Sequence, residues 1–257
     1  MTATPAESMP SDRLVLTEDV GAVRTLVFNR PTRLNAFTSA SYRRLTTLLR
    51  EAAGDAGVRV VLLRGEGRAF SSGVDLEELS GAQDGSLALR DTFDQLIDAL
   101  VEYPKPLIAA VHGPAVAFGA TMLLHCDLVL VADDARLRFP FTSLRTAPEA
   151  GSSALLPAAV GPQRAAELLF TSRWMGADEA VDFGLALARY PREQLHGEAR
   201  ALAERIAQQP GAAVESVKRL LRAGRVELVR HASTLERAEA QKLGIALEAF
   251  GPSPAPG

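Results

Sequence analysis

The 257-residue chain is 47% hydrophobic and 23% charged, the balance of a soluble globular protein with one large core or two modest ones. A net charge of −3 gives no electrostatic case for nucleic acid or a membrane surface as partner. The single cysteine, Cys126, excludes an intrachain disulfide framework and a cysteine-cluster metal site, and no apolar run approaches the ~20 residues of a membrane span.

Residues 1–12 lack a charged-then-apolar signal pattern and read as an unstructured lead-in, with the cytoplasm as the expected location. Residues 14–18 and 23–28 alternate in polarity around Asp19-Val20-Gly21, which predicts a hairpin. Asn29-Arg30-Pro31 ends it and residues 33–37 form a loop. Thr38 or Ser39 then caps a helix to about Ala53, with Tyr42, Leu45, Leu48 and Leu49 at helical spacing. Residues 58–63 (VRVVLL) form a nearly continuous apolar strand of the kind covered on both faces. It runs into a glycine-bearing loop that opens another helix. Residues 80–86 read as flexible, and helix resumes from Leu87 to Val101.

Residues 107–111 form a second buried strand, broken by His112-Gly113-Pro114. A helical segment follows from Phe118 to His125, then a strand from Asp127 to Ala132. Gly161-Pro162 starts a helix through Phe170, and a short helix from Ala177 is closed by Gly184. From Glu193 onward the pattern is helical: 193–209, 212–223 and 226–250. The tail, 251–257, is disordered by composition. Strand–helix units followed by helices predict an α/β core with a helical C-terminal region.

Two loops, residues 68–76 and 113–119, each link a buried strand to a helix. A turn entering a helix presents backbone N–H groups with no partner inside the helix, a place to hold an oxygen that becomes negative. Pro148-Glu149-Ala150-Gly151 sets one carboxylate in a Pro/Gly-framed turn, and an oxyanion site with one base is the minimum for moving a proton beside a carbonyl. Each part alone is equally a turn or a solvated carboxylate. Neither loop matches GxGxxG or the phosphate-loop pattern. The four histidines have no metal-ligand spacing, and His125, in an otherwise apolar helix, reads as structural. Ser71, Ser72, Ser152 and Ser153 lack a nucleophile frame, and Cys126 reads as a buried, inert thiol.

Arg33-Leu-Asn-Ala-Phe, Gly67-Arg-Ala-Phe-Ser-Ser-Gly-Val-Asp-Leu, Val111-His-Gly-Pro-Ala-Val and Cys126-Asp-Leu, in register over residues 14–190, resemble the crotonase (enoyl-CoA hydratase/isomerase) superfamily. The resemblance implies a spiral of strand–strand–helix turns over residues 13–192, with the helices of 193–250 used in oligomerisation, as a homotrimer or dimer of trimers. It implies an acyl- or enoyl-CoA thioester as ligand, with no cofactor beyond the coenzyme A of the substrate. It places the two backbone oxyanion donors at Val74 and Phe118, where phenylalanine replaces a frequent glycine and narrows the space. Coenzyme A would lie along Arg33, Leu34 and Ala36 and along Ala69, Ser71, Ser72, Gly73, Asp75 and Leu76, with Arg30 or Arg33 available to its phosphates.

The departures bear on the reaction. Hydratases of the family use two glutamates; their positions hold Thr121 and Phe141 here, and neither side chain can activate water as a carboxylate does. The Δ3,Δ2-enoyl-CoA isomerase branch has instead one glutamate in a Pro-Glu-Gly segment, matched by Pro148-Glu149-Ala150-Gly151 with alanine for glycine. That resemblance implies Glu149 as the base, in a pocket lined by Phe118, Thr121, Met122 and Phe141. Another CoA-thioester reaction and a non-catalytic acyl-CoA binder stay open. Arg145, four residues before Glu149, would weaken the base if it paired with it.

Overall fold

The computed structural model describes residues 10–81 and 85–243. Strands β1 (Val15–Val20) and β2 (Val23–Phe28) form the expected antiparallel hairpin, turning at Gly21 with φ +57°. Helix α1 (Ser39–Gly54) starts at Thr38, whose hydroxyl accepts the Ser41 N–H at 3.2 Å, a side-chain N-cap. Then come β3 (Val60–Gly65), α2 (Leu76–Gly81), α3 (Gly85–Val101), β4 (Leu107–Val111) and β5 (Pro114–Val116). Helix α4 (Phe118–Thr121) tightens into a 3-10 turn over Met122–His125 before β6 (Leu128–Ala132) and β7 (Arg136–Arg138). The remainder is α5 (Ser152–Val160), α6 (Pro162–Thr171), β8 (Trp174–Gly176), α7 (Ala177–Asp182), β9 (Ala188–Tyr190), α8 (Arg192–Ala207), α9 (Gly211–Leu221) and α10 (Arg225–Leu243).

The main sheet has the order β1-β2-β3-β4-β6-β9 and is parallel beyond the first pair. A second sheet, β5-β7-β8, lies beside it. The apolar run at β3 is covered on both faces, as its composition requires. Val61 and Leu63 join the larger core with α1 and α3, while Val60 and Leu62 meet Leu195, Ala199 and Ala203 of α8. Period-two alternation in the strands and period-four spacing in α8 thus meet in one interface.

Some expectations are corrected. The unstructured lead-in ends early, since Ser11–Arg13 form a 3-10 turn; residues 1–9 lie outside the described chain, as does the tail at 251–257. Within the stretch read as flexible, α2 runs to Gly81 and α3 begins at Gly85; residues 82–84 are outside the description. Strands β5, β7, β8 and β9, three residues each, are too short to carry a period. Helix α5 escaped notice because it has Pro157 inside it and no polar–apolar stripe.

The C-terminal helices are tied to the core by charge. Asp127 accepts from Leu107 N–H at 2.8 Å and pairs with Lys218 and Arg222 of the α9 region at 2.8 and 2.9 Å. Arg222 and Arg225 donate to the carbonyls of His125 and Leu124. Among the described residues no helix is long and apolar enough to cross a membrane.

Candidate active site

The two strand-to-helix loops are locked together. Ser71 bridges to Ala115, with Val116 N–H donating to Ser71 O at 2.9 Å. A Cβ added at Gly73 would lie 2.7 Å from Val116 O and 3.4 Å from Phe118 N; one at Gly119 would lie 2.4 Å from Ser71 O. Both positions therefore demand glycine, and Gly73 also has φ +89°.

That lock leaves two N–H groups over. Val74 bridges to Phe37, whose N–H and C=O bond Gly73 O and Asp75 N–H at 2.7 and 2.8 Å. Neither bond uses the Val74 N–H. Phe118 N–H opens α4, where helix geometry gives it no internal acceptor. The residue before it, Ala117, has φ +48° and ψ −118°, a conformation strained for any side chain and of a kind that clusters at functional sites. The Phe118 ring is fully buried among Phe37, Tyr42 and Phe93, with centroids 5.3, 5.4 and 5.1 Å away. Its bulk is spent on the α1–α3 core.

Glu149 sits in the Pro148–Gly151 turn with no hydrogen bond or ion pair to its carboxylate among the described residues. Burial first, and then the Glu236 carboxylate, push its pKa up to about 8. Tyr42, edge-on to Phe118, has its phenol raised by burial and then by the charge of Glu149. Arg145 does not pair with Glu149: it is exposed, pairs with nothing among the described residues, and is not among the causes of the Glu149 shift.

The turn is held from two sides. His125 is fully buried and its Nε2 lies 2.8 Å from Ala150 O. Burial drops its pKa to about 3, so the ring is neutral and Nε2 carries the donated proton. Glu236 of α10 accepts Gly151 N–H and Ser153 N–H at 2.8 Å each. Sequence reasoning missed Glu236. The available signal was its place in the helical stripe Val229, Ala232, Glu236, all buried, where a carboxylate interrupts an apolar face.

Thr121, Met122 and Phe141 are buried, and Thr121 Oγ1 has no hydrogen-bond partner. Neither Thr121 nor Phe141 offers an acid. Cys126 is held as a thiol, its pKa raised to about 12 by burial and then by Asp127.

The first loop is built by Asn35, which has φ +55°. Its amide donates to Glu66 O and Ala69 O at 2.9 and 2.7 Å and its oxygen accepts Arg30 N–H at 2.8 Å. Leu34, with φ +50°, accepts Ser72 N–H at 2.9 Å, and Ser71 Oγ donates to Asn35 O at 2.9 Å. Residues 33–36 and 69–72 therefore form one surface.

The cations and Asp75 are less free than expected. Arg33 is bidentate with Glu77 at 2.6 and 3.1 Å. Arg30 donates to Asp75 at 2.8 Å and to Ala36 O at 2.5 Å. Asp75 also caps α2 by accepting Glu77 and Glu78 N–H, so its carboxylate is structural, while Leu76 is exposed. Replacing Asn35 by alanine strands three backbone partners, one buried and two part-buried, and the melting temperature is expected to fall by an amount matching about 2–4 kcal/mol in a thermal scan.

A sequence profile described as "Enoyl-CoA hydratase/isomerase" matches residues 18–247. A "Probable enoyl-CoA hydratase" of Rhodobacter capsulatus is 36% identical over 77% of this chain and 77% of its own. "Enoyl-CoA delta isomerase 3, peroxisomal" of Mus musculus is 34% identical over 73% of this chain and 59% of its own. The solved enoyl-CoA hydratase/isomerase of Pseudoalteromonas atlantica T6c superposes with a TM-score of 0.85 at 33% identity, covering 90% of this chain and 91% of that one.

Proposed function

The chain belongs to the enoyl-CoA hydratase/isomerase family, and we propose that within it the protein moves a double bond in an enoyl-CoA thioester, from the 3- to the 2-position. The observation that carries this reading is the solitary Glu149. It has no partner among the described residues and a pKa near 8, while Thr121 and Phe141 stand where a second acid would be needed to add water.

In this reading the Glu149 carboxylate removes a proton from C2 of the 3-enoyl thioester. The electron pair moves into the thioester, and the Val74 and Phe118 N–H groups hold the resulting dienolate oxygen. Glu149 then returns the proton to C4, leaving the conjugated 2-enoyl product and an ionised base. A pKa near 8 suits both steps, since the group is basic enough to take the proton and acidic enough to give it back. Coenzyme A lies along residues 33–36 and 69–72 in this proposal, with Arg33 free to reach a phosphate only by leaving Glu77. The homotrimer, or pair of trimers, remains part of the same proposal. It is supported by the exposed Val217, Leu220 and Leu221 on α9 and Leu228 and Leu235 on α10.

The test is purified protein with 3-enoyl-CoA, following the absorbance of the conjugated thioester across pH. Because the base must be unprotonated in the free enzyme, kcat/KM is expected to rise tenfold per pH unit and level off near pH 8. Turnover with a flat profile from pH 6 to 9 would remove Glu149 from the role. Absence of turnover with acyl-CoA still binding in calorimetry would favour another CoA-thioester reaction or simple binding.

A further inference from the structure

We propose that Glu236 is a positioning residue for Glu149: its buried carboxylate grips the turn that carries the base. This rests on the reading of Glu149 as the base. The grip falls on one peptide unit. Ala150 C=O is held by His125 Nε2 at 2.8 Å, and Gly151 N–H of the same peptide is held by Glu236 Oε2 at 2.8 Å. Glu236 Oε1 takes Ser153 N–H, so the carboxylate satisfies the start of α5, which has no side-chain cap of its own.

The turn needs such a hold. Ala150 and Gly151 are both left-handed, φ +59° and +70°, and alanine adopts that region at a cost of about 1–2 kcal/mol. Holding this peptide fixes the Ala150–Gly151 backbone that joins Glu149 to the start of α5. No cation pairs with Glu236 among the described residues, so its charge is balanced by N–H dipoles and is felt by its neighbour. A local cap would not serve equally, since a side chain at Gly151 would lie 2.8 Å from Val229 Cγ1.

Few other charges reach the base. Tyr42 faces it from α1 and is kept neutral by burial; Glu78 of α2 is engaged by Ser39 N–H. His125 is neutral, and Arg225 of α10 is turned to Leu124 O. Among the described residues, Glu236 is the one carboxylate whose charge raises the Glu149 pKa.

The experiment pairs Glu236→Gln with Glu236→Asp. It follows kcat/KM against pH and, independently of turnover, the 13C-carboxyl titration of Glu149, assigned by its loss in Glu149→Gln. In Glu236→Gln the acid limb and the Glu149 titration are both expected to move down by about one pH unit, with plateau kcat about tenfold lower. Glu236→Asp keeps the charge but shortens the reach, so kcat falls with the limb nearly in place. A melting temperature that drops while limb and titration stay put would reduce Glu236 to a helix cap and overturn the proposal. Wild-type kcat in Glu236→Asp would overturn the positioning role, and serves as the test if Glu236→Gln fails to fold. A shifted titration in protein that turns over no enoyl-CoA would keep the coupling and discard the isomerase reading.

Discussion

Glu149→Gln is expected to lower kcat by about 10³-fold while making the protein more stable. The first effect is the loss of a positioned base, typically worth 10²–10⁴ in rate. The second follows from linkage. The Glu149 carboxyl titrates near 4.5 in the ordinary case and near 8 in the fold, so between those values the native state holds a proton that the unfolded chain releases. Stability therefore declines as pH rises through this window, and above pH 8 the whole penalty is present. At about 1.4 kcal/mol per pH unit the gap bounds the penalty at roughly 5 kcal/mol. Glutamine removes it. Thermal scans should show the variant melting several degrees higher at pH 8.5 and the two proteins converging below about pH 5. A variant less stable at high pH would mean that the carboxylate is held by something that favours its charge.

Gly73→Ala acts on the other half of the site. Its Cβ would press on Val116 O at 2.7 Å and Ala117 Cβ at 3.1 Å, and it would be left-handed as well. The loops must part, and the Val74 and Phe118 donors part with them. Loss of one such donor costs about 2.7–4 kcal/mol of transition-state stabilisation, 10²–10³ in kcat, and the clash should add about 1–3 kcal/mol of destabilisation. Gly161→Ala is the control. It has φ +85° with nothing within 4 Å of the new methyl, so it should lower the melting temperature and leave kcat alone. Equal kcat losses in both variants would mean that general backbone strain, not separation of the loops, limits the rate.

The sequence was most informative where one local signal decided the outcome. The apolar run at β3, the Thr38 cap of α1 and the hairpin at Gly21 each rest on neighbours a few residues apart. The glycine-bearing loops and the Pro148–Gly151 turn were legible for the same reason. What stayed hidden was long-range. Nothing near Arg30 and Arg33 shows that Asp75 and Glu77, more than 40 residues on, take their charges. Nothing near Glu149 points to Glu236, and His125 read as structural without showing that it grips the Ala150 carbonyl. Ala117 and Ala150 carry left-handed backbones that their side chains disfavour, so composition argued against the conformations that the tertiary contacts impose.

The 85-residue separation between Gly151 and Glu236 also orders events during synthesis. Chains emerge N-terminus first and their parts fold as they become complete. Residues 69–74 and 113–119, with the strands that support them, leave the ribosome well before α10. The two donor loops can therefore close on each other while the peptide beside Glu149 still lacks its second anchor. A nascent chain halted before Glu236 would carry joined loops beside a Pro148–Gly151 turn with His125 as its single anchor, and α10 would supply the second.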